Sequence, residues 1–166
     1  MYEIGDRVVH PMHGAGTIAE IVEQKVSGKK AQYYLFNMIY GGMTLMIPVD
    51  NSEGVGVRPV CGDGEAYRII DEIAVIELDE NTNWNRRYRE NMVRVKSGNL
   101  HDVAGVVKSL VLRERERGLS TGERKMLHSA RQILVSELAM AIGNTIKQTE
   151  DMLEHAIIAG SAQLVM

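Results

Sequence analysis

Short apolar runs bounded by glycine fill the first third of the chain and predict β-strands joined by tight turns. Ser27-Gly28-Lys29-Lys30 has the composition of a hairpin loop, and Gly41-Gly42 that of a tight turn. The predicted strands cover residues 7–10, 17–23, 32–39, 43–48 and 55–58. A meander of this length is too small for a sandwich, so a small SH3-like or Tudor-like barrel best removes its unpaired edges.

Beyond Pro59 the apolar residues recur at every third or fourth position, which predicts amphipathic helices. Five helices are expected, beginning near Asp63, Trp84, Asn99, Ser120 and Thr145. The first should end at Asn81-Thr82-Asn83 and should present to a core Tyr67, Ile70, Ile73 and Ile76, or their neighbours. Ser120 and Glu123 have the spacing of a capping box, in which the two side chains satisfy free backbone amides at a helix start.

These patterns predict an α+β chain of two domains, with a Tudor-like β domain over residues 1–60 and an all-α helical bundle over residues 61–166. Apolar residues make up 45% of the chain and charged residues 25%, as in soluble globular proteins. No apolar run approaches the roughly 18 residues that span a bilayer, and the chain opens with acidic residues instead of a basic and apolar leader. We therefore expect a cytoplasmic protein without membrane contact.

Charge is distributed unevenly along the chain. The net charge is −3, but residues 84–131 hold twelve Lys and Arg against five acids, so this stretch carries +7 and the remainder −10. A basic helical stretch within an otherwise acidic protein indicates a polyanionic partner for that stretch alone.

Catalytic sequence patterns are missing from the chain. It contains no Walker-type phosphate loop and no GxSxG elbow, so an enzyme is not expected. His10 and His13 flank a turn, but a metal site needs about four ligands, so packing of the turn is favoured and neither metal nor cofactor is expected. Cys61 is the single cysteine and has no partner for a disulfide or a zinc cluster.

The segment around Trp84 is the most distinctive local feature. The single tryptophan stands at a predicted helix start and precedes Arg86, Arg87 and Arg89. Two interpretations remain open. Trp84 covers the rim of the helical bundle, as large aromatics are usually mostly buried, or it is presented to DNA as a wedge at a minor-groove step while the arginines neutralise phosphates.

A second group of cations follows the capping box. Arg124 and Lys125 lie in the first helical turn, where the helix dipole disfavours positive charge, so a compensating anion is expected there. Arg131 lies two turns further along and extends the predicted patch. Arg113, Arg115 and Arg117 alternate with glutamates and are interpreted as a solvated helix end with local ion pairs.

In this order the motifs resemble those of the CarD/CdnL family, over residues 1 to about 160. Gly5-Asp6-Arg7-Val8-Val9-His10-Pro11 with His13-Gly14-Ala15-Gly16 is similar to the start of the polymerase-interacting domain that this family shares with transcription-repair coupling factors. The resemblance to the helical domain of CarD/CdnL alone is carried by Thr82-Asn83-Trp84, Arg86-Arg87-Tyr88, Ser97-Gly98, Glu116-Arg117-Gly118-Leu119-Ser120 and Ala130-Arg131-Gln132-Ile133-Leu134.

The resemblance implies that the β domain binds the β subunit of RNA polymerase by strand pairing, and that the helical domain meets promoter DNA at the upstream edge of the transcription bubble. Trp84 would be the minor-groove wedge, with Arg86, Arg87 and Lys125 as backbone contacts. Lys25 and Met46 fall at expected polymerase contacts, although some relatives carry a basic residue in place of Met46.

A factor of this kind stabilises the open promoter complex by its preference for the opened junction. We expect a monomer that binds DNA weakly in isolation and with little sequence specificity, because phosphate contacts carry no base information. The alternative is a protein-interaction adaptor in which Trp84 is an interface hot spot. Salt dependence separates the two, because phosphate contacts lose affinity steeply as salt rises.

Overall fold

A computed structural model describes residues 1–76 and 83–165, apart from the side chains of 161–165. The expected order of β strands followed by helices is confirmed. The strands are β1 Arg7–His10, β2 Gly14–Val26, β3 Lys29–Met38, β4 Thr44–Pro48 and β5 Arg58–Pro59. The helices are α1 Ser52–Val55, α2 Asp63–Val75, α3 Trp84–Lys96, α4 Leu100–Arg117, α5 Thr121–Ile142 and α6 Ile146–Val165.

The five strands form one antiparallel sheet in the order β4-β3-β2-β1-β5. β4 and β5 end this sheet and do not pair with each other in the part of the chain that the structure describes, so the sheet is open and the closed barrel predicted from the sequence is not found. A two-residue β5 is too short to bridge to β4. The β2–β3 hairpin extends past its neighbours, with Lys25 directly opposite Lys30 near its tip.

The fifth strand differs from its prediction. Residues 52–55 form the helical turn α1 instead of the start of a strand, and Gly56 ends that turn with a left-handed φ of 99°. Only Arg58 and Pro59 then pair with β1, opposite Val9 and Val8. The left-handed turn at glycine breaks the extended run that the valines on either side predicted.

Side-chain caps form at the starts of α3, α4 and α5, whereas α2 begins at Asp63 after Gly62 and has no side-chain cap. The side chain of Asn83 accepts a hydrogen bond from the backbone N–H of Arg86, and that of Asn99 accepts from His101 and Asp102. Ser120 accepts from the backbone N–H of Glu123, which is one half of the predicted capping box. Each cap satisfies amides that the helix itself leaves unpaired.

The predicted core face of α2 is confirmed at Ile73 and at the partly buried Ile70 and Ile76, but not at Tyr67. Ala66, Ile69 and Ile73 are buried, whereas Tyr67 is 49% exposed. The sequence offers isoleucines on adjoining faces of this helix, and the packing of α4 and α6 selects among them. The predicted break at Asn81-Thr82-Asn83 begins outside the described residues.

Two hydrophobic cores occupy the two halves of the chain. The sheet covers one core, built on Tyr34 and Phe36. The second core lies among α2, α4, α5 and α6 and extends to Val95 of α3. α5 contacts both halves, because one part of it packs on β1 and β2 and the rest lies in the helical core. Among the described residues, no helix has the length and hydropathy of a membrane span.

Candidate nucleic-acid interface

Trp84 is the first residue of α3, directly after the Asn83 cap. Its side chain is 42% exposed, so the indole is neither buried in the core nor free of the protein. The indole stacks on the ring of Tyr88 one helical turn later, with ring centroids 5.1 Å apart and an interplanar angle of 18°. Stacking between residues four apart on a helix fixes the direction of the indole plane.

The edge of the indole is fixed by α5. Nε1 of Trp84 donates to Oε1 of Glu123 at 3.1 Å and lies 3.3 Å from Oγ of Ser120. Both acceptors belong to the α5 N-terminus, so this contact joins the starts of α3 and α5. The indole is thus held at its polar edge and on one face, while nearly half of its surface stays open to solvent.

Glu123 departs from its predicted capping role. Besides the bond from the indole, its carboxylate receives the Nε of Arg87 at 3.2 Å and the Oγ of Ser120 at 3.3 Å. The residue is only 2% exposed. The carboxylate therefore organises three side chains around Trp84, in addition to the backbone bond between Ser120 and Glu123.

Arg87 is placed differently from a solvent-facing phosphate contact. It is 6% exposed, and its guanidinium pairs with the buried carboxylate of Glu123. The prediction of Arg87 as a DNA contact came from the family resemblance and from its position between two other arginines. The structure instead brings Arg87 behind Trp84, where its charge balances Glu123.

Three of the predicted DNA-binding cations are exposed near the starts of α3 and α5, the two helices that meet at Trp84. Arg86 lies on the outer face of α3 and forms an exposed pair with Glu90 at 3.1 Å. Arg124 and Lys125 are exposed in the first turn of α5, next to the Ser120 cap that contacts Trp84. Arg89 of α3 is exposed as well, one turn from the indole. These two helix starts, called here the Trp84 surface, combine the open ring of Trp84 with the exposed cations Arg86, Arg89, Arg124 and Lys125, which suits a nucleic acid.

Arg131 is not brought to this surface. It lies about 10 Å along α5 from Arg124 and lines a small groove beside Glu150 and Glu154. The hydroxyl of Tyr40 donates to Glu150 at 3.2 Å, and burial followed by the charge of Glu150 raises the pKa of Tyr40, while Arg131 opposes this shift. Glu150 and Glu154 therefore place negative charge beside Arg131.

Sequence reasoning did not assign Tyr88 and Glu123 to this site. Tyr88 follows Trp84 by four residues, which is the spacing of neighbours on a helix, so its support of the indole was readable in principle. The link from Glu123 to Trp84 had no such signal, because the residues are far apart in sequence and on different helices.

The predicted polymerase contacts lie in the β half. Met46 is 44% exposed on β4, the strand at one end of the open sheet. Lys25 is exposed near the tip of the β2–β3 hairpin. Lys30 lies directly opposite Lys25 on the neighbouring strand, and the repulsion between the two like charges destabilises the hairpin. Glu23, 3.9 Å from Lys30, offsets part of this repulsion.

His10, the last residue of β1, and His13 of the β1–β2 turn are in contact, with ring centroids 4.7 Å apart and the ring planes tilted by 47°. Burial, followed by the charge of His13, lowers the pKa of His10 to about 4. Nδ1 of His10 accepts the backbone N–H of Met12 at 3.0 Å, so the neutral ring packs the turn. Within residues 1–76 and 83–160, no group of three or more potential ligands is arranged for a metal ion. Burial, and then Glu137, raises the pKa of Cys61 to about 12.

Comparison with known proteins gives matches along both halves of the chain. A protein-family model described as CarD-like/TRCF RID domain matches residues 2–61, and one described as CarD, C-terminal domain matches residues 68–154. The chain is also 37% identical over 148 residues to a curated Bacillus subtilis (strain 168) protein named "Putative transcription factor YdeB". That alignment covers 89% of this chain and 97% of the relative.

Proposed function

The chain belongs to the CarD-like family of transcription factors, and from that membership we propose that it stabilises the open promoter complex by holding RNA polymerase and promoter DNA at the same time. In this proposal the β half binds the polymerase β subunit, and the Trp84 surface meets DNA at the upstream edge of the bubble. The observation that carries the DNA role is the fixed, half-open indole of Trp84 at the contact of two helix starts that carry exposed cations.

The proposed wedge depends on preorganisation of the indole. An aromatic wedge that enters a base step must unstack it, which costs free energy. A freely rotating side chain would add a second cost, because its rotamers become ordered on binding. Trp84 is already ordered by Tyr88 and Glu123, so little rotamer freedom remains to be lost on binding. The open part of the ring is the part available to a base.

The proposed phosphate contacts are Arg86, Arg124 and Lys125, which are exposed near the starts of α3 and α5. Their flexible heads can reach backbone phosphates on either side of a wedge, and they require no base sequence. Arg87 takes a supporting role in this scheme, because its guanidinium is committed to Glu123. Arg131 is a weaker candidate, because Glu150 and Glu154 line the same groove and would repel a phosphate.

The proposed polymerase contact uses the outer edge of β4. Because β4 ends the sheet, the main-chain groups on its outer side have no strand partner among the described residues. A strand added by the polymerase β subunit would gain those hydrogen bonds, and alternate side chains such as Met46 would contribute specificity. The match of residues 2–61 to the CarD-like/TRCF RID domain supports this assignment.

The mechanism follows from binding both partners. Attachment to polymerase supplies a high effective concentration of the Trp84 surface beside the DNA, so individually weak DNA contacts suffice. If that surface binds the opened junction better than the closed duplex, the open complex gains stability equal to the difference in binding free energy.

The lifetime of open complexes formed by the cognate polymerase tests this function. Wild-type protein should lengthen the lifetime, Trp84→Ala should largely abolish the effect, and both should bind polymerase equally. A wild-type protein that binds polymerase without changing the lifetime would overturn the proposal and favour an adaptor that binds another protein through Trp84.

A further inference from the structure

An ion pair between a partly buried arginine and a fully buried glutamate joins the β sheet to α5. Glu137 of α5 is completely buried, and its two oxygens receive Nη1 and Nη2 of Arg58 at 2.7 and 2.6 Å. The backbone N–H of Cys61 donates to the same carboxylate at 2.9 Å. This bidentate bond raises the pKa of Arg58 above its ordinary value, despite partial burial of the guanidinium. β5 and the chain that leaves it are therefore fastened to the C-terminal part of α5.

Arg58 also contacts the turn that follows α3, the helix that carries Trp84. Its Nε donates to the carbonyl oxygen of Gly98 at 3.1 Å, in the turn between α3 and α4. Arg58 thus joins three parts of the molecule. It is itself a residue of β5, and its guanidinium donates to Glu137 of α5 and to Gly98 in the α3–α4 turn. A single side chain with this set of partners ties the sheet to both helical elements of the Trp84 surface.

Weaker bonds follow the same seam along α5. The backbone N–H of Ala15 donates to Ser136 at 2.8 Å, and Gln132 donates to the carbonyl of His13 at 3.1 Å. A Cβ atom at Gly14 would collide with Ser136 and with the α5 backbone. The β1–β2 turn therefore lies directly on α5, and Arg7 adds a bond to the Met140 carbonyl at 2.9 Å.

α5 carries a second buried carboxylate at its other end. Glu123 and Glu137 are separated by fourteen positions, which places them on neighbouring sides of the helix and about 21 Å apart. Each is paired with an arginine from outside α5, Glu123 with Arg87 and Glu137 with Arg58. The first pair holds the Trp84 surface and the second holds the sheet, so a single helix, α5, sets the distance between them.

We propose that Arg58 and Glu137 form a positioning clamp that fixes the β sheet on α5, so that the polymerase-binding edge and Trp84 are held at one distance and orientation. The consequence for transcription rests on the proposed function. A rigid link delivers Trp84 to the junction at a higher effective concentration than a loose one, because fewer orientations of the two halves are sampled.

The chemistry of the pair supports a role in geometry. A buried ion pair adds little stability compared with apolar residues of similar volume, because desolvation cancels much of the attraction. Its bidentate bonds are directional, however, and permit one arrangement of guanidinium and carboxylate. Directional bonds across the seam specify an orientation that apolar contacts alone would leave looser.

The test uses the full chain and the double variant R58M/E137M. Removing both charges avoids leaving a buried ion without its partner, so the variant is expected to fold. Spin labels on cysteines introduced at the exposed residues Gln24 and Glu116, in a Cys61→Ala background, report the distance between the sheet and the helical half. The unmutated clamp should give one narrow distance distribution, and R58M/E137M a broader one.

The functional readout is the open-complex lifetime with the cognate polymerase. R58M/E137M should bind polymerase normally and shorten the lifetime several-fold relative to wild type. Leu153→Ala, a truncation in the α6 core far from the seam in sequence, is the control for loss of stability and should leave the distance distribution narrow. An unchanged distribution for R58M/E137M would overturn the clamp, as would a broadened distribution with an unchanged lifetime.

Trp84→Ala separates failure of the clamp from failure of the proposed function. This variant should shorten the lifetime while keeping the narrow distribution. If wild-type protein has no effect on the lifetime, the proposed function fails, and the distance distributions alone still decide whether Arg58 and Glu137 fix the two halves.

Discussion

The indole nitrogen of Trp84 and the carboxylate of Glu123 are hydrogen-bonded at 3.1 Å, although the two residues lie at the starts of different helices. The same carboxylate pairs with the buried guanidinium of Arg87. The position of the Trp84 indole therefore depends on the contact between α3 and α5. Substitutions on α5 should change the environment of the indole.

Replacement of Glu123 should change both stability and the environment of Trp84. Glu123→Gln keeps a carbonyl oxygen for the indole but removes the charge opposite Arg87, so the free energy of unfolding should fall by about 3 kcal/mol. Glu123→Ala should also release the indole edge. Because Trp84 is the single tryptophan, acrylamide quenching of its fluorescence should rise for Glu123→Ala and change little for Glu123→Gln. Equal quenching in all three proteins would contradict the contact.

The two cations at the α5 start should account for part of the salt dependence of DNA binding. If Arg124 and Lys125 each contact one phosphate, the double Ala variant should reduce the slope of log affinity against log salt by about 2 on a duplex with an open junction. Arg131→Ala is the matched control on the same helix, and it should leave the slope nearly unchanged because its groove is acidic. A larger effect from Arg131 would reverse this assignment.

The Ser120 cap should matter for the indole as well as for α5. Ser120→Ala removes a cap that accepts from Glu123 and should cost about 1 kcal/mol of unfolding free energy. Asn99→Ala removes the corresponding cap of α4 and should cost a similar amount. Only Ser120→Ala should alter Trp84 fluorescence, since Ser120 lies 3.3 Å from the indole nitrogen. The same spectral change in both variants would show that it reflects general destabilisation.

His101 should make stability depend on pH. Its two ring nitrogens face Glu65 at 2.6 Å and Glu72 at 2.8 Å, so only the protonated ring can donate to both. The bond to Glu65, ahead of the bond to Glu72, raises the native pKa above the ordinary 6.5. The stabilisation is fully present below the unfolded pKa and is lost as pH rises through the native one.

His101→Gln tests this linkage by thermal unfolding over a pH series. The wild-type advantage in melting temperature should be largest near about pH 6 and should shrink as the solution becomes more alkaline. The effect should be modest, because the imidazole is 41% exposed and solvent screens the pair. A constant difference at every pH would contradict a titrating contact.

The sequence by itself determined most of the elements and several helix starts. Alternation and glycine spacing located β1 to β4, and the caps at Asn99 and Ser120 located the starts of α4 and α5, because capping and periodicity depend on residues within a few positions of one another. The concentration of positive charge after Trp84 was also visible. The motifs of the first and last parts sufficed to indicate the CarD-like family, which the comparisons confirm.

Only the tertiary structure decided which of those residues act together. It buried Arg87 against Glu123, set Arg131 beside Glu150 and Glu154, joined Arg58 to Glu137, and left the sheet open. Each of these outcomes depends on side chains from elements distant in sequence. An arginine has the same local pattern whether it faces solvent or a buried carboxylate, so its role is fixed only when the helices pack.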